Sequence, residues 1–378
     1  MKSKMNRALS MLFALVMVVT VFPVMTSTAV AAETKAQSGG SYTYEDLYVK
    51  DGLVAWFDAF GVNNATVDLV GGTWTDKVGG SVATISGADW WEFRANGGFG
   101  YDMTYAEWKS NWSKTEVVFD INLLNETAFT FETFLTPYGP VDGEGNRYVA
   151  TESEQKWGSY NSSATFVNVG HLRTLQFGDH TTFSQFETRF VYTKNSDGWN
   201  SNQDAGGGIT NGSQIRNLAT SGLPVGLSFA YNHTVSTVEI PAAEEGGEPT
   251  YKDIHAAIYD CYKDGTSKFL TYNSQTTKAG EAKRDNDGDG ANDNWWTKLY
   301  YPVLTGGSLK IAGGFPSTVY SARVYDRILS SAEMAQNHAA DILGLTGADL
   351  SPIQNETGLG LLVTELASMD SSATKARI

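Results

Sequence analysis

An aspartate-rich stretch is the part of the sequence whose spacing most clearly suggests chemistry. Four acidic residues lie close together at mostly alternate positions, namely Asp285, Asp287, Asp289 and Asp293. Gly290 follows the third of them and permits the tight turn that a backbone makes around an ion. Clustered carboxylates repel one another unless a cation neutralises them. The spacing predicts a calcium-binding loop, although Trp296 stands where a complete EF-hand loop has its bidentate glutamate. The alternative is a solvated turn in an acidic protein.

Tryptophan side chains beside polar, glycine-rich segments are the second set of candidates. An indole ring presents a flat apolar surface that can stack on the C–H face of a sugar. Two tryptophan pairs are adjacent in sequence, and neighbours in a strand point to opposite sheet faces, so one of each pair can face solvent. We therefore predict that Trp91, Trp199 and Trp296 bind a ligand. The alternative is that all of them lie in the core.

The cysteine and the histidines do not indicate a further chemical site. Cys261 is the single cysteine, so the chain cannot form an internal disulfide. Its apolar neighbours predict a buried thiol that behaves as a small hydrophobic residue. The five histidines show no spacing typical of a zinc site.

A strand near the end of the sequence is the element around which the rest must be arranged. The run Val319–Tyr325 is rich in β-branched and aromatic residues. Period-two alternation predicts that one face of this strand carries Tyr320, Ala322 and Val324.

A short helix is predicted directly after this strand. Ser330 and Glu333 have the spacing of a capping box, in which each side chain bonds the other residue's backbone N–H. Leu329 and Met334 have the spacing of the hydrophobic staple that accompanies such a cap. Gly344 is predicted to close the helix in the left-handed conformation.

A family resemblance rests on this region and two earlier ones. The stretch Ala322–Ser330, with Glu333 and Asn337 after it, resembles the closing motif of concanavalin A-like lectin/glucanase domains of the bacterial, secreted laminin G type. Gly52–Asp58 resembles the opening strand of that family, and Phe129–Leu135 resembles an early strand. The resemblance implies an all-β fold, a two-sheet antiparallel jelly-roll sandwich with a short C-terminal helix. It implies no particular ligand.

The same resemblance allows a test for catalysis. Glucanases on this fold carry a Glu-x-Asp-x-x-Glu strand that places two carboxylates on one face, and this sequence has no such string. Glu132 is a single acid within an apolar strand, and the resemblance implies a structural role for it. The sequence thus favours a non-catalytic module that binds carbohydrate or glycoprotein. An exported glycoside hydrolase or lyase with acids on separate strands, and a structural spacer of a cell-surface protein, remain alternatives.

The N-terminus has the pattern of a secretory signal peptide. Three basic residues precede an apolar run that ends in small residues, which predicts a signal over residues 1–32. Residues 33–50 are predicted to be a linker, residues 51–345 the sandwich, and residues 346–378 a tail or the start of a further region. These features predict a secreted or cell-surface protein without membrane insertion after signal cleavage.

The formal charge narrows the range of partners. The chain carries 27 basic and 42 acidic residues, a net charge of −15. Such a chain is a poor ligand for nucleic-acid phosphates. The expected partner is a glycan or a glycosylated surface protein, with calcium as the expected cofactor.

Overall fold

A computed structural model describes residues 42–104, 107, 114–121, 127–138, 141, 144–145, 165–170, 172–177, 186–187, 223–240, 247–265, 267–276, 282–284, 294–299, 308–313, 316–348 and 350. All of them belong to one compact unit, residues 41–378. In this part of the chain no helix is long and apolar enough to cross a membrane.

The described chain is built mainly from strands. In chain order they are β1 (Leu53–Asp58), β2 (Val67–Asp68), β3 (Thr73–Thr75), β4 (Val82–Ser86), β5 (Glu92–Phe93), β6 (Phe99–Gly100), β7 (Glu116–Phe119), β8 (Ala128–Pro137), β9 (Thr165–Gly170), β10 (Leu172–Phe177), β11 (Phe186–Glu187), β12 (Val225–Ile240), β13 (Thr250–Lys263), β14 (Ser267–Thr276), β15 (Ala282–Arg284), β16 (Asn294–Leu299), β17 (Ser308–Ile311) and β18 (Ser317–Tyr325). One α-helix follows, α1 (Ser331–Thr346), and two 3₁₀ turns span Tyr44–Leu47 and Ala88–Trp90.

The strands form two large antiparallel sheets and one separate pair. Sheet A has the order β14-β13-β12-β8-β18-β6-β5, and β1 also pairs with β18. Sheet B has the order β11-β10-β9-β17-β7-β4-β3-β2, and β15 pairs with β16. Phe119 of sheet B contacts Phe57 and Phe131 of sheet A, with ring centroids 4.9 and 5.8 Å apart. The two sheets therefore share one aromatic core, which confirms the predicted two-sheet sandwich with a short C-terminal helix.

Strand β18 is central to sheet A, as predicted, but its alternation differs from the prediction. All nine of its residues are buried, and β8 pairs with it from Ser317 to Tyr325. The register shifts between Val319 and Ser321, so Val319 and Ala322 both enter the core between the sheets. Tyr320 instead packs with Phe60 and Phe134 in a separate cluster. A β-bulge, which strict alternation does not anticipate, accounts for the difference.

The start of α1 follows the prediction and its end does not. The Ser330 hydroxyl accepts from the Glu333 N–H at 3.3 Å, and the Glu333 carboxylate accepts from the Ser330 N–H at 2.8 Å. The helix ends at Gly347, which has the left-handed φ of 59°. Gly344 lies inside the helix, where a Cβ would come within 2.8 Å of the Phe60 ring. The glycine is required there by close packing and not by backbone conformation.

We expect the stabilising effect of Glu333 to depend on pH. A hydrogen bond from Arg327 lowers the pKa of Glu333 to about 2, so its charged form is favoured by folding. The contribution should be complete above about pH 4.3, the ordinary value for glutamate, and should disappear as the pH falls towards 2. Both partners are only half-buried, so screening by solvent limits the contribution to under about 1 kcal/mol. The variant Glu333→Gln can still form the capping box. Urea titrations should show that its unfolding free energy is lower than that of the parent at pH 7 and approaches that of the parent as the pH falls to 2. A difference that is constant with pH would contradict the prediction.

The N-terminal segment of the described chain belongs to the folded domain. Residues 33–50 were predicted to be a linker, but Leu47 and Tyr48 are buried with residues of α1. The Gln336 amide donates to the Leu47 carbonyl at 2.6 Å, and the Val49 N–H donates to the Asn337 side chain at 2.9 Å. Apolar residues at this end of the predicted linker thus pack on the helix, and the domain boundary lies before them. At the other end, Leu350 is also buried in this cluster, beyond the predicted boundary at 345.

Strands β12, β13 and β14 pair one after another as three long antiparallel strands at one side of sheet A. The sequence Asp264-Gly265 is itself typical of a hairpin turn. It joins β13 to β14, and both residues have the positive φ that such a turn requires, 52° and 73°. Strand β12 pairs with β8 only as far as Asn232, but it pairs with β13 up to Ile240. Part of the β12–β13 hairpin therefore extends beyond the ladder between β8 and β12.

Candidate functional site

The outer face of sheet A is covered by α1 and contains a buried ionic network. Arg323 of β18 bonds Asp341 of α1 through two nitrogen atoms, at 2.7 and 2.6 Å. Its Nε also donates to Glu132 of β8 at 3.2 Å. Each of the three residues is only 2% exposed. A guanidinium shared by two carboxylates therefore joins two strands and the helix.

Further polar groups complete this network. Glu132 also accepts from the Asn337 amide at 2.6 Å and from the Ser228 hydroxyl at 3.0 Å. Asp341 also accepts from the hydroxyls of Tyr48 at 2.9 Å and Ser321 at 2.7 Å. Burial raises the pKa of the Glu132 carboxyl, against the opposing effect of Arg323. These contacts show that Glu132 has the structural role that the sequence suggested.

The remaining buried acids of the described chain are also held by protein groups. Asp58 accepts from the Tyr44 hydroxyl and Lys77. Asp76 accepts backbone N–H groups, and Asp264 accepts from the Gly226 N–H at 3.1 Å. A general acid or nucleophile must reach its substrate, and these carboxylates instead satisfy buried donors. The sole cysteine is fully buried, as predicted, and burial raises the pKa of its thiol.

The outer face of sheet B is open where side chains are described. Val82 and Thr84 of β4 are exposed, whereas Ala83 and Ile85 between and beside them are in the core. Lys310 of β17 is half-buried and lies 3.2 Å from Glu116 of β7, at the same face. This surface is polar, mixed in charge, and without an exposed aromatic ring among the described residues.

The extended part of the β12–β13 hairpin carries the exposed aromatic ring. We call residues 233–240 and 250–257 the ribbon. Tyr251 is 65% exposed, and it is the one aromatic side chain among the exposed large hydrophobic residues of the described chain. It lies directly across the ladder from Glu239, with its hydroxyl 3.5 Å from the Glu239 carboxylate. Val235, on the same side of β12, is 52% exposed.

The predicted site residues fall in different places. Trp91 is in the core: it is 6% exposed, its ring packs on Tyr101, and its indole N–H donates to the Ser86 carbonyl at 2.8 Å. This burial favours the alternative that Trp91 is a core residue. Trp296 lies in β16, which pairs with β15. Outside the described residues lie Trp199, Asp285, Asp287, Asp289 and Asp293, which stay predictions.

Sequence reasoning did not identify Tyr251 or Glu239. The described side chains of this part of β12, at positions 235, 236, 237 and 239, are exposed because this part lies beyond the end of its pairing with β8. A signal was nevertheless present. The residues Thr234, Ser236, Thr237 and Glu239 interrupt the apolar pattern, so neither face of this strand is apolar enough to predict burial.

Comparisons with known proteins gave only distant structural similarities. No family model and no curated protein matches the chain. One similar structure is Trypanosoma rangeli sialidase in complex with 2,3-difluorosialic acid, with TM-score 0.35 and 12% identity, covering 79% of this chain and 34% of that chain. Another is the binding domain of Paraclostridial Mosquitocidal Protein 1, with TM-score 0.36 and 8% identity, covering 77% of this chain and 52% of that chain. This chain thus spans a third to a half of those proteins, and similarity this low carries no functional argument.

Proposed function

We propose that this chain is a secreted or cell-surface, non-catalytic module that binds glycans or glycosylated proteins. The observation that carries the proposal is the exposed ring of Tyr251 beside the Glu239 carboxylate. A flat ring stacks on the C–H face of a sugar, and a carboxylate accepts hydrogen bonds from sugar hydroxyls. A β-sandwich presents this pair on regular backbone, which favours binding with little loss of conformational entropy.

The location and the absence of catalysis rest on other features. The basic residues and apolar run of the first 32 positions support export. The buried acids of the described chain are engaged by arginine, lysine, hydroxyl and backbone groups. A retaining or inverting glycosidase needs two carboxylates facing a substrate cleft. Glu132 and Asp341 share one arginine beneath α1, which is a structural arrangement.

We expect Tyr251→Ala to weaken glycan binding about 5- to 30-fold, because stacking on an aromatic ring contributes on the order of 1–2 kcal/mol. The mature chain should be screened on a glycan array and against insoluble polysaccharides, and the best ligand should be titrated by calorimetry. Tyr251→Phe, which keeps the ring, should retain most of the affinity. Val62→Ala removes an exposed side chain elsewhere and should bind like the parent.

Two results would replace this proposal by another. Release of reducing sugar by the purified chain would favour a hydrolase, and failure to bind any glycan would favour a structural spacer.

A variant on the other sheet tests where the ligand binds. Thr84→Arg places a large charge on the open face of sheet B. If that variant loses binding while Tyr251→Ala does not, the ligand binds sheet B and the assignment to the ribbon is wrong.

We further propose that the segment 285–293 binds calcium. The residues that flank it, Arg284 and Asn294, are paired between β15 and β16. Calcium should raise the melting temperature relative to chelator, since an ion that binds only the folded state stabilises it. Asp287→Ala should abolish that increase, whereas Asp68→Ala, an exposed acid in a different turn, should leave it intact. Equal melting temperatures with calcium and with chelator would exclude the site.

A further inference from the structure

A buried histidine lies where α1 packs against the turn between β13 and β14. His338 is only 3% exposed, and neither of its ring nitrogens has a hydrogen-bond partner in the part of the chain that the structure describes. Its Nε2 lies 3.7 Å from Oδ1 of Asp264, which is longer than the upper limit of about 3.2 Å for an N–H···O hydrogen bond. Packing therefore holds the ring in place.

Two glycines bring the helix and the hairpin close together at this point. A Cβ on Gly226 of β12 would come within 2.6 Å of Nδ1 of His338, and a Cβ on Gly265 would come within 2.5 Å of the Cα of Ala335. Nδ1 thus lies against backbone, with no room for a water molecule between it and Gly226. We call the contact of residues 226, 264 and 265 with residues 335 and 338 the helix joint.

The one carboxylate of the helix joint already has other partners. Oδ1 of Asp264 accepts from the Gly226 N–H at 3.1 Å, and Oδ2 lies 3.5 Å from the ammonium group of Lys263. Phe134 of β8 packs on the His338 ring and is uncharged. Among the described residues, Asp264 is the acid with which a protonated His338 would pair.

The other ionisable side chains beneath α1 are bonded to one another or to neighbouring amides. They are Tyr48, Glu132, Arg323, Tyr325 and Asp341. The two acids in this group share Arg323. They consequently supply no free negative charge for a cation at position 338.

A proton on His338 would place a cation in this close-packed setting. Removing an ion from water is costly, and an ion pair offsets that cost only if its geometry is good and its remaining protons are hydrogen-bonded. Here the two partners stand 3.7 Å apart, and Lys263 shares the carboxylate. The added N–H would face the Gly226 backbone without an acceptor among the described residues. The helix joint therefore accommodates the neutral ring better than the charged one.

We propose that His338 makes the helix joint sensitive to acid. At neutral pH the uncharged ring fills the space between α1 and β12. Below about pH 6.5, the ordinary value for an exposed histidine, an open joint takes up a proton that the closed joint excludes. Stability of the closed joint then falls with falling pH, because the open state binds more protons. The ratio of open to closed molecules should rise by up to about 10-fold for each pH unit.

Hydrogen exchange of the helix amides provides the test, which does not depend on the proposed glycan binding. Exchange of residues 331–346 should be followed by mass spectrometry in the mature chain at pH 7.5 and pH 5.5, with correction for the intrinsic rate at each pH. Protection of α1 in the parent should fall about 3- to 10-fold at the lower pH. His338→Gln, which stays neutral, should not show this fall. Comparing parent and variant cancels the contribution of the other acids.

A second histidine supplies the matched control. His233 of β12 is half-buried and lies outside the helix joint, so His233→Gln should lose protection in acid as the parent does. If His338→Gln does not fold, His338→Phe takes its place, because replacing an unpartnered polar ring by an apolar ring of similar shape is well tolerated.

Three results would overturn the inference. Equal protection of α1 at both pH values in the parent would show that the joint does not respond to acid. Higher protection in acid would show that a protonated His338 pairs with Asp264 and strengthens the joint. A fall of the same size in His338→Gln or His338→Phe would assign the acid sensitivity to another group. The first two results need the parent alone.

Discussion

An Arg323→Ala variant is expected to lose about 3–5 kcal/mol of unfolding free energy, because it leaves two carboxylates buried without their cation. Arg323 holds Asp341 through two nitrogen atoms and Glu132 through a third. Burial raises the pKa of Glu132, so protonation of that acid recovers part of the loss, and the deficit should be smaller in acid than at neutral pH. Urea denaturation at both pH values measures it.

The matched control is a half-buried arginine of the same segment. Arg327 pairs with Glu333 and Asp51 at the surface, and Arg327→Ala should cost under about 1 kcal/mol. Equal losses in the two variants would mean that burial of the network is unimportant. If Arg323→Ala is too unstable to purify, Arg323→Lys, which keeps the charge but not the fork of donors, should be intermediate in stability.

Asp76→Ala should be the second most damaging substitution, at about 2–4 kcal/mol. The carboxylate of Asp76 accepts the N–H of Trp56 at 2.7 Å, and it also accepts those of Val78, Gly79 and Ser81. The loop thereby occupies the outer edge of β1, where the Lys77 N–H also bonds the Trp56 carbonyl. Without the carboxylate, a buried N–H loses its partner and a sheet edge is uncovered.

Two measurements test the role of Asp76. The midpoint of urea unfolding reports stability, and light scattering reports association, since an uncovered strand edge is a template for pairing with other chains. Asp68 makes one comparable turn contact, to the Gly71 N–H at an exposed position, and Asp68→Ala should lose under about 1 kcal/mol. A soluble Asp76→Ala variant of parental stability would show that the loop holds the edge without this side chain.

The elements that the sequence predicted well are those specified by short-range patterns. The capping box of Ser330 and Glu333 depends on three-residue spacing, and the Asp264–Gly265 turn depends on residues that accept positive φ. Both are local, so their physics is contained in the sequence around them. The two-sheet arrangement came from the family resemblance and was confirmed by the strand order.

What the sequence did not predict depends on long-range packing. The bulge in β18 moves Tyr320 out of the predicted face, because the register with β8 is set across the sheet. Trp91 was predicted to bind a ligand and Tyr251 was not identified, for a similar reason. Trp91 lies inside the sandwich, and Tyr251 lies on a hairpin that extends past its neighbour. The burial of Trp91 does not follow from the residues adjacent to it in sequence.

One signal for the buried network was available. Glu132 and Arg323 each stand as a single charge within an apolar strand. A charged side chain in a buried strand requires a partner of opposite charge. The sequence could therefore have predicted that the strand with Glu132 lies next to the strand with Arg323. Asp341 gave no comparable signal, since an acid in a helix is usually solvated.

The distance along the chain between Glu132 and Arg323, 191 residues, bears on when the protein acquires its structure. During synthesis β8 is made long before β18, its neighbour in sheet A. Glu132 of β8 therefore has no cationic partner until Arg323 of β18 has been synthesised. Sheet A cannot be completed until β18, residues 317–325, has been synthesised. Strands made early, such as β8, therefore pair with β18 only late in synthesis.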